Sequence, residues 1–320
     1  MTPADLSLTV QHAVRRAVDD GALRVDVPPR VKVERARPGG TGEYASSVAL
    51  SLARPAGRSA LDVAGVLKER LQGAPGILAV DITGPGFLNF TLRSDAGADL
   101  VRAVCGAGSA YGHGDALAGT SVRFADATES RAQIVTEVVL RLLRSQGADA
   151  RLGGSERIHV RPASYLPQEL GVDAARWSLL RAAPSDRALD GPPLLVQHER
   201  NSLFRVRYAH ARVRRLLVNA TQLGFTPSYD TDIHVPELLG VLGDHPVVLL
   251  AAARHRAPDR VARHLEATAD ALLAFQHTVL PLGDEKPSAA HRSRLALAEA
   301  AGTVLAGGLS LLGISAPDQI

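Results

Sequence analysis

The sequence predicts three parts: an α+β N-terminal domain of helices on a small antiparallel sheet, a short α/β segment, and an all-α helical-bundle C-terminal domain. Three observations carry this. Residues 1–110 alternate between segments of helical and of strand period. Residues 111–190 contain one strand–loop–helix pattern and then a Pro- and Gly-containing loop. Residues 191–320 are a succession of long helical patterns broken by short Pro-, Gly- and Asp-rich connections. With 320 residues and 46% hydrophobic content, the chain has room for more than one buried core.

In the first part, "LSLTVQHAVRRAVDDGAL" places Leu8, Val10, Ala13, Val14 and Ala17 at helical spacing, with Gly21 as the stop. "VKVERA" alternates as a strand does, and "GGTGEYASSVALSLA" reads as a loop followed by an apolar run. "SALDVAGVLKERLQGAPG" predicts a helix capped by Ser59, burying Leu61, Val63, Val66, Leu67 and Leu71, and ended by Gly73. "ILAVDITGPGFLNFTLR" predicts two strands about a rigid bend, because Pro85 fixes its own φ between two permissive glycines.

In the second part, "SVRFADATESRAQIVTEVVLRLLRSQG" predicts a strand, a loop and a helix with Val135, Val138, Val139, Leu142 and Leu143 on one face. Asp126 and Glu129 have capping-box spacing, and Gly147 is the stop. No glycine-rich phosphate loop accompanies this unit. In the third part, helical patterns begin near Glu199, Pro236, Pro258 and Ser288.

Charge separates one helix from the rest. Lysine occurs only as Lys32, Lys68 and Lys286, so nearly all the basic residues are arginine. In "RNSLFRVRYAHARVRRLLVNATQLG", Leu203, Val206, His210, Val213, Leu217 and Ala220 share one face, which makes His210 a core histidine. Arg205, Tyr208, Arg212 and Arg215 share another, about half a turn away at roughly 100° per residue. Arginines with an interleaved ring suit phosphates and stacked bases. The alternative is an ordinary solvated face.

The other chemistry-bearing residues are sparse. One cysteine, Cys105, excludes an internal disulfide framework and predicts a reducing compartment. The N-terminal stretch has no signal-peptide pattern and the apolar runs are short, so the expectation is a soluble cytoplasmic protein with no membrane role. The histidines show no metal-ligand spacing, and His113 beside Asp115 reads as an exposed loop. No metal and no cofactor are expected.

Several stretches resemble arginyl-tRNA synthetase. "GPGFLNF" and the layout of residues 1–93 are similar to that family's additional N-terminal domain; "GVDAARWSLLRAAP" resembles its Asp-Ala-Leu-Arg signature, with Ala175 in place of leucine. "RVRYAHARVRRLL" and "LALAEAAGTVLAGGLSLLGISAPDQI" are close to its anticodon-binding helix and its C-terminus. The resemblance implies contact of Phe87, Asn89 and Phe90 with the tRNA elbow at the D-loop, and of Arg205, Tyr208, Arg212 and Arg215 with RNA in a DALR-type helical domain. It makes residues 1–110 the additional-type domain, 111–190 a truncated remnant of a class I catalytic domain, and 191–320 the anticodon-binding domain. The chain departs from the family in having no His-x-Gly-His and no Lys-Met-Ser-Lys stretch, and Gln276 and His277 stand near a position where tyrosine is usual. The expectation is therefore a tRNA-binding protein, with arginine tRNA as a candidate, that is not an enzyme and does not aminoacylate. The alternative is an accessory subunit that holds a protein partner.

Overall fold

The computed structural model describes residues 3–36, 41–92, 96–163 and 170–320. They form a helix-rich α+β structure with a small antiparallel sheet and a helical C-terminal region. The chain divides into two compact units, Met1–Leu100 and Val101–Ile320.

The first unit contains α1 (Pro3–Asp19), β1 (Glu34–Arg35), β2 (Tyr44–Ser46), α2 (Val48–Ala56), α3 (Ala60–Leu71), β3 (Ile77–Thr83) and β4 (Phe87–Leu92). The strands lie in the order β1-β2-β4-β3, all antiparallel. One face of the sheet is covered by α2 and α3, and α1 packs on α3. The core joins Leu6, Val10 and Val14 of α1 to Val63, Leu67 and Leu71 of α3 and to Leu88 and Phe90 of β4. Ser59 caps α3 by accepting from the Asp62 N–H at 3.1 Å, as expected. Leu61, expected inside, is exposed, because it lies two residues before Val63, about 200° round the helix from it and so off the buried Val63–Leu67 stripe. The apolar run after the first loop is α2, ended by Gly57 in the left-handed region.

The bend at 83–87 is a tight turn: the Gly86 N–H donates to Thr83 O at 3.3 Å, with Gly84 at φ +54° and Gly86 at φ +131°. A Cβ on Gly86 would lie 2.8 Å from Ala60 O, so the bend also sits close against the start of α3.

The division falls within α4 (Ala96–Ala107). The second unit continues with β5 (Ser121–Phe124), α5 (Ser130–Ser145), β6 (Asp149–Leu152), α6 (Val172–Arg181), α7 (Ser202–Gln222), α8 (Pro236–His255), α9 (Pro258–Phe275) and α10 (Ala289–Leu312). β5 and β6 pair in parallel through α5, a single βαβ step. The expected apolar face of α5 is buried. Its cap differs from expectation: Glu129 is itself the N-cap and accepts from the Ala132 N–H at 2.7 Å. The last four helices begin within a few residues of where the patterns place them, and α10 lies against α7, α8 and α9. A Cβ on Gly302 would meet Val213 at 2.8 Å, and one on Gly308 would meet Leu265 at 2.5 Å, so glycines set how closely α10 approaches α7 and α9.

The expected boundary at 190 has no counterpart in the observed division. Residues 111–190 belong with the helices, and buried side chains do the joining. Trp177 donates its indole N–H to Ser202 Oγ at the start of α7, at 2.9 Å. Arg131, 0% exposed, donates all five of its N–H groups to backbone carbonyls at Leu179, Arg161, Asp186, Ala182 and Ala183, at 2.7–3.2 Å. It ties the start of α5 to the unsatisfied carbonyls at the end of α6.

By length and composition, α8 and α10 could each cross a membrane, although the sequence runs suggested otherwise. The physical reason is that alanines between the leucines and valines keep the hydropathy up over a full span. Most of α10 is buried in the second unit.

Candidate nucleic-acid interface

The site is built on α7. Asn201 accepts from the Phe204 N–H at 3.2 Å and donates to Leu194 O and Val196 O, which fixes where the helix starts. Leu203, Val206, Val213, Leu216 and Ala220 then face the core. Leu216 takes the place that the pattern gave to the half-buried Leu217. His210 is buried, with Nδ1 3.0 Å from Pro317 O.

The four residues expected to meet RNA share the outer side but differ in how they are held. Tyr208 is 40% exposed and stacks on Phe204, with ring centroids 5.7 Å apart. Arg205 pairs with Asp270 at 3.0 Å and donates to Glu199 O. Arg212 donates from Nε to Gln276 Oε1 at 2.6 Å, and Arg215 is exposed. Tyr208, Arg212 and Arg215 line one open groove of about 510 Å³; Arg205 does not. The other wall is made by Asp318, Gln319 and Ile320, from the stretch that resembles the family's C-terminus, together with Arg214, which the sequence reading did not single out and whose Nε is 3.0 Å from Asp318. No local pattern could supply that wall, because it lies about a hundred residues away along the chain.

The Asp-Ala-Ala-Arg stretch places this wall. Asp173 Oδ1 accepts from the Ser315 N–H at 3.0 Å, and Oδ2 accepts from its hydroxyl. Arg207 lies 3.6 Å from Asp173 and donates to Ser315 Oγ at 3.2 Å. Arg176 donates to Leu312 O at 2.9 Å and pairs with Glu137 at 3.0 Å.

In the first unit, the residues expected at the tRNA elbow are placed unequally. Phe90 is 0% exposed: strand alternation turns it with Leu88 onto the face that α2 and α3 cover. Asn89 is 6% exposed, its amide donating to Thr83 Oγ1 at 2.6 Å across the turn. Phe87, at 37%, is exposed. For Asn89 and Phe90 the expectation of an exposed contact is corrected; their immediate partners are within the unit.

A second hollow, of about 210 Å³, lies where β5 runs into α5, lined by Asp126, Thr128, Glu129, Arg157 and His159 among others. The Glu129 carboxylate there is engaged as the helix cap. Elsewhere, burial pushes the Cys105 thiol up to about 11, with Glu299 adding to it, which disfavours a nucleophilic thiolate. Burial lowers His113. Among the described residues, no group of three or more His, Cys, Asp or Glu side chains could hold a metal. Residues 164–169, between β6 and α6, lie outside the described residues.

Two family models match the chain: the DALR anticodon binding domain over residues 206–320, and the arginyl tRNA synthetase N terminal domain over residues 6–92. The chain is arginyl-tRNA synthetase-like. An arginine–tRNA ligase of Frankia alni is 28% identical over 552 aligned positions that take in all of both chains, the present chain having 320 residues. That of Micrococcus luteus is 43% identical over 164 residues, 47% of this chain and 30% of its own. Among solved structures, Thermus thermophilus arginyl-tRNA synthetase superposes with a TM-score of 0.73 at 12% identity, covering all of both chains.

The matched domain is described as anticodon-binding, and the groove on α7 lies within the residues matched to it. The comparisons also correct three expectations. The synthetase-like chain is matched over its whole length to proteins named arginine–tRNA ligase, so a chain lacking the catalytic domain, a non-catalytic function and the absence of enzyme activity are not supported. Those expectations rested on the two missing motifs and on the shortness of residues 120–175 for a doubly wound domain, whereas the alignments to the ligases take in the whole chain.

Proposed function

We propose that this chain binds tRNA, an arginine-accepting one first, as the substrate of an arginine–tRNA ligase reaction. The observation that carries the reading is the groove on α7, where Tyr208, Arg212 and Arg215 meet inside the DALR-type domain. Three curated relatives matched over the full length are named for the ligation. Cys105, the single cysteine, fits a reducing, cytoplasmic setting.

In this reading the chain's residues supply the tRNA-holding step. Arg215 and Arg214 offer planar forks to phosphates at the groove, and Arg212 is aimed there by Gln276. Tyr208, backed by Phe204, is a platform for one unstacked base. Arg205 lies at the edge of the same surface and must leave Asp270 to reach RNA. Phe87 is the elbow contact, with Asn89 and Phe90 setting the turn and strand that carry it.

Filter binding with arginine-accepting and other tRNAs tests the reading, beside arginylation of the same tRNAs by the purified chain with arginine and ATP. Replacing Arg205, Tyr208, Arg212 and Arg215 by Ala lowers tRNA affinity by about 1–3 kcal/mol at each position that contacts a base or stacks. Lost phosphate contacts flatten the salt dependence by roughly 0.7–0.9 in log–log slope each. Arginine- and ATP-dependent charging is the result the ligase reading requires. Binding without charging confines the proposal to the holding step, and no tRNA binding at low salt overturns it.

A further inference from the structure

We infer that Asp173 is a positioning residue: through Ser315 and Arg207 it holds the segment Gly313–Ile320 as one wall of the α7 groove and so sets how tightly the groove takes RNA. The inference rests on the tRNA reading above.

The segment has no helix or strand of its own beyond α10, so side-chain bonds decide where it lies. Its departure from α10 is fixed first. Gly313 is in the left-handed region at φ +70°, and a Cβ there would lie 2.6 Å from guanidinium nitrogens of both Arg141 and Arg176. Those two arginines donate to the last carbonyls of the helix, at Ser310 and Leu312. The next turn of chain is fixed by Asp173. It uses both carboxylate oxygens on Ser315, one on the N–H and one on the hydroxyl, while Arg207 of α7 closes the triangle on both partners. These charge-assisted bonds join α6, α7 and the segment at one point. Beyond it, Pro317 O meets His210 Nδ1 at 3.0 Å and Asp318 pairs with Arg214 at 3.0 Å, which brings residues 318–320 to the groove.

Asp173 is absent from the groove lining, so its influence on RNA travels through the segment. Releasing the segment removes a wall and frees Arg214 from Asp318 at the same time. A general loss of stability would act with or without the segment; this mechanism needs it.

The test combines amide exchange with a mutant cycle. Asp173→Ala should speed exchange of the Ser315 amide and weaken binding of an arginine-accepting tRNA roughly tenfold, about 1.4 kcal/mol by the affinity scale. In a chain stopped after the buried Ile314, the same substitution should change affinity by less than about twofold, the signature of coupling through the deleted residues. Asp173 also lies in the first turn of α6, where a carboxylate favours the helix. Ser315→Ala, which leaves α6 intact, is therefore the second variant and should reproduce both effects in smaller degree. Unchanged Ser315 exchange in Asp173→Ala, or the same affinity loss in the full and shortened chains, would overturn the inference. Faster exchange with no tRNA binding by the unmodified chain would uphold the latch and overturn both the tRNA reading and the claim on affinity.

Discussion

Arg131 gives the sharpest test of how the second unit is held together. Its five N–H donors meet five carbonyl oxygens, and it is wholly buried. Three of these oxygens, at Leu179, Ala182 and Ala183, lie in the last turn of α6 or just past it, where no intrahelical donor remains. A cation there also opposes the negative end of the helix dipole. Arg131→Met keeps most of the side-chain length and removes every donor. Breaking a buried, fully bonded ionic group costs about 4 kcal/mol. Arg131→Lys keeps the charge but offers three donors for five acceptors, so two carbonyls lose their partner at about 1 kcal/mol each. Urea unfolding followed by the fluorescence of Trp177 is the assay. It is the single tryptophan, it is buried, and it lies on α6 within the same unit. The expected order of midpoints is unmodified chain, then Lys, then Met. A Met variant within about 1 kcal/mol of the unmodified chain would refute the reasoning, since it would mean that the desolvation of the guanidinium cancels its bonds.

Three further perturbations follow from the second unit. Burial lowers His264 to about 4 and His245 well below its ordinary value, with His264 and His113 adding to the latter. Both stay neutral in the fold, whereas in the unfolded chain they take up protons below about 6.5. Stability is therefore independent of these groups above about 6.5 and falls as pH drops from there toward 4, by on the order of 3 kcal/mol for His264. His264→Phe should flatten the acid limb of a stability–pH curve, and an unchanged limb would count against it. Gly308→Ala drives a Cβ to 2.5 Å from Leu265 and should cost about 1–3 kcal/mol in thermal or urea unfolding; an unchanged midpoint would mean that the Leu265 side chain turns aside and that Gly308 does not set the spacing. Arg256 is a non-glycine residue in the left-handed region, at φ +53°, and it lies over the Phe124 ring at 5.2 Å while pairing with Glu156. Arg256→Gly relieves the backbone and loses those contacts, so it should be less damaging than Arg256→Ala by about 1 kcal/mol; equal losses would remove the strain from the account.

The α7 helix shows how far sequence alone reached. Its period set Leu203, Val206 and Val213 inside and Tyr208 and Arg215 outside, because a helix fixes the angle between neighbours whatever surrounds it. The same logic started α8, α9 and α10 within a residue or so of their ends, since Pro at a first turn and Ser288 as a cap are local signals. Phe90 and Asn89 entered through the family resemblance, and local spacing did not show that both are buried. Their exposure depends on which face of the sheet α2 and α3 cover and on a bond to Thr83, and neither is encoded in the spacing of "FLNF".

Two kinds of information thus separate in this chain. The sequence by itself determined α1, α3, α5 and α7–α10, the strands β3, β4 and β5, the arginine-rich outer face of α7 and the resemblance to arginyl-tRNA synthetase at both ends, because periodicity, caps and turn residues act over a few residues; α2, α4, α6 and β6 were not legible in it. Only the tertiary structure decided that Arg131 is a buried clasp and that Asp173 reaches Ser315. It also decided that residues 318–320 wall the groove against Arg214 and Arg215. Those contacts join residues tens to more than a hundred positions apart, and their geometry exists only once the helices have packed.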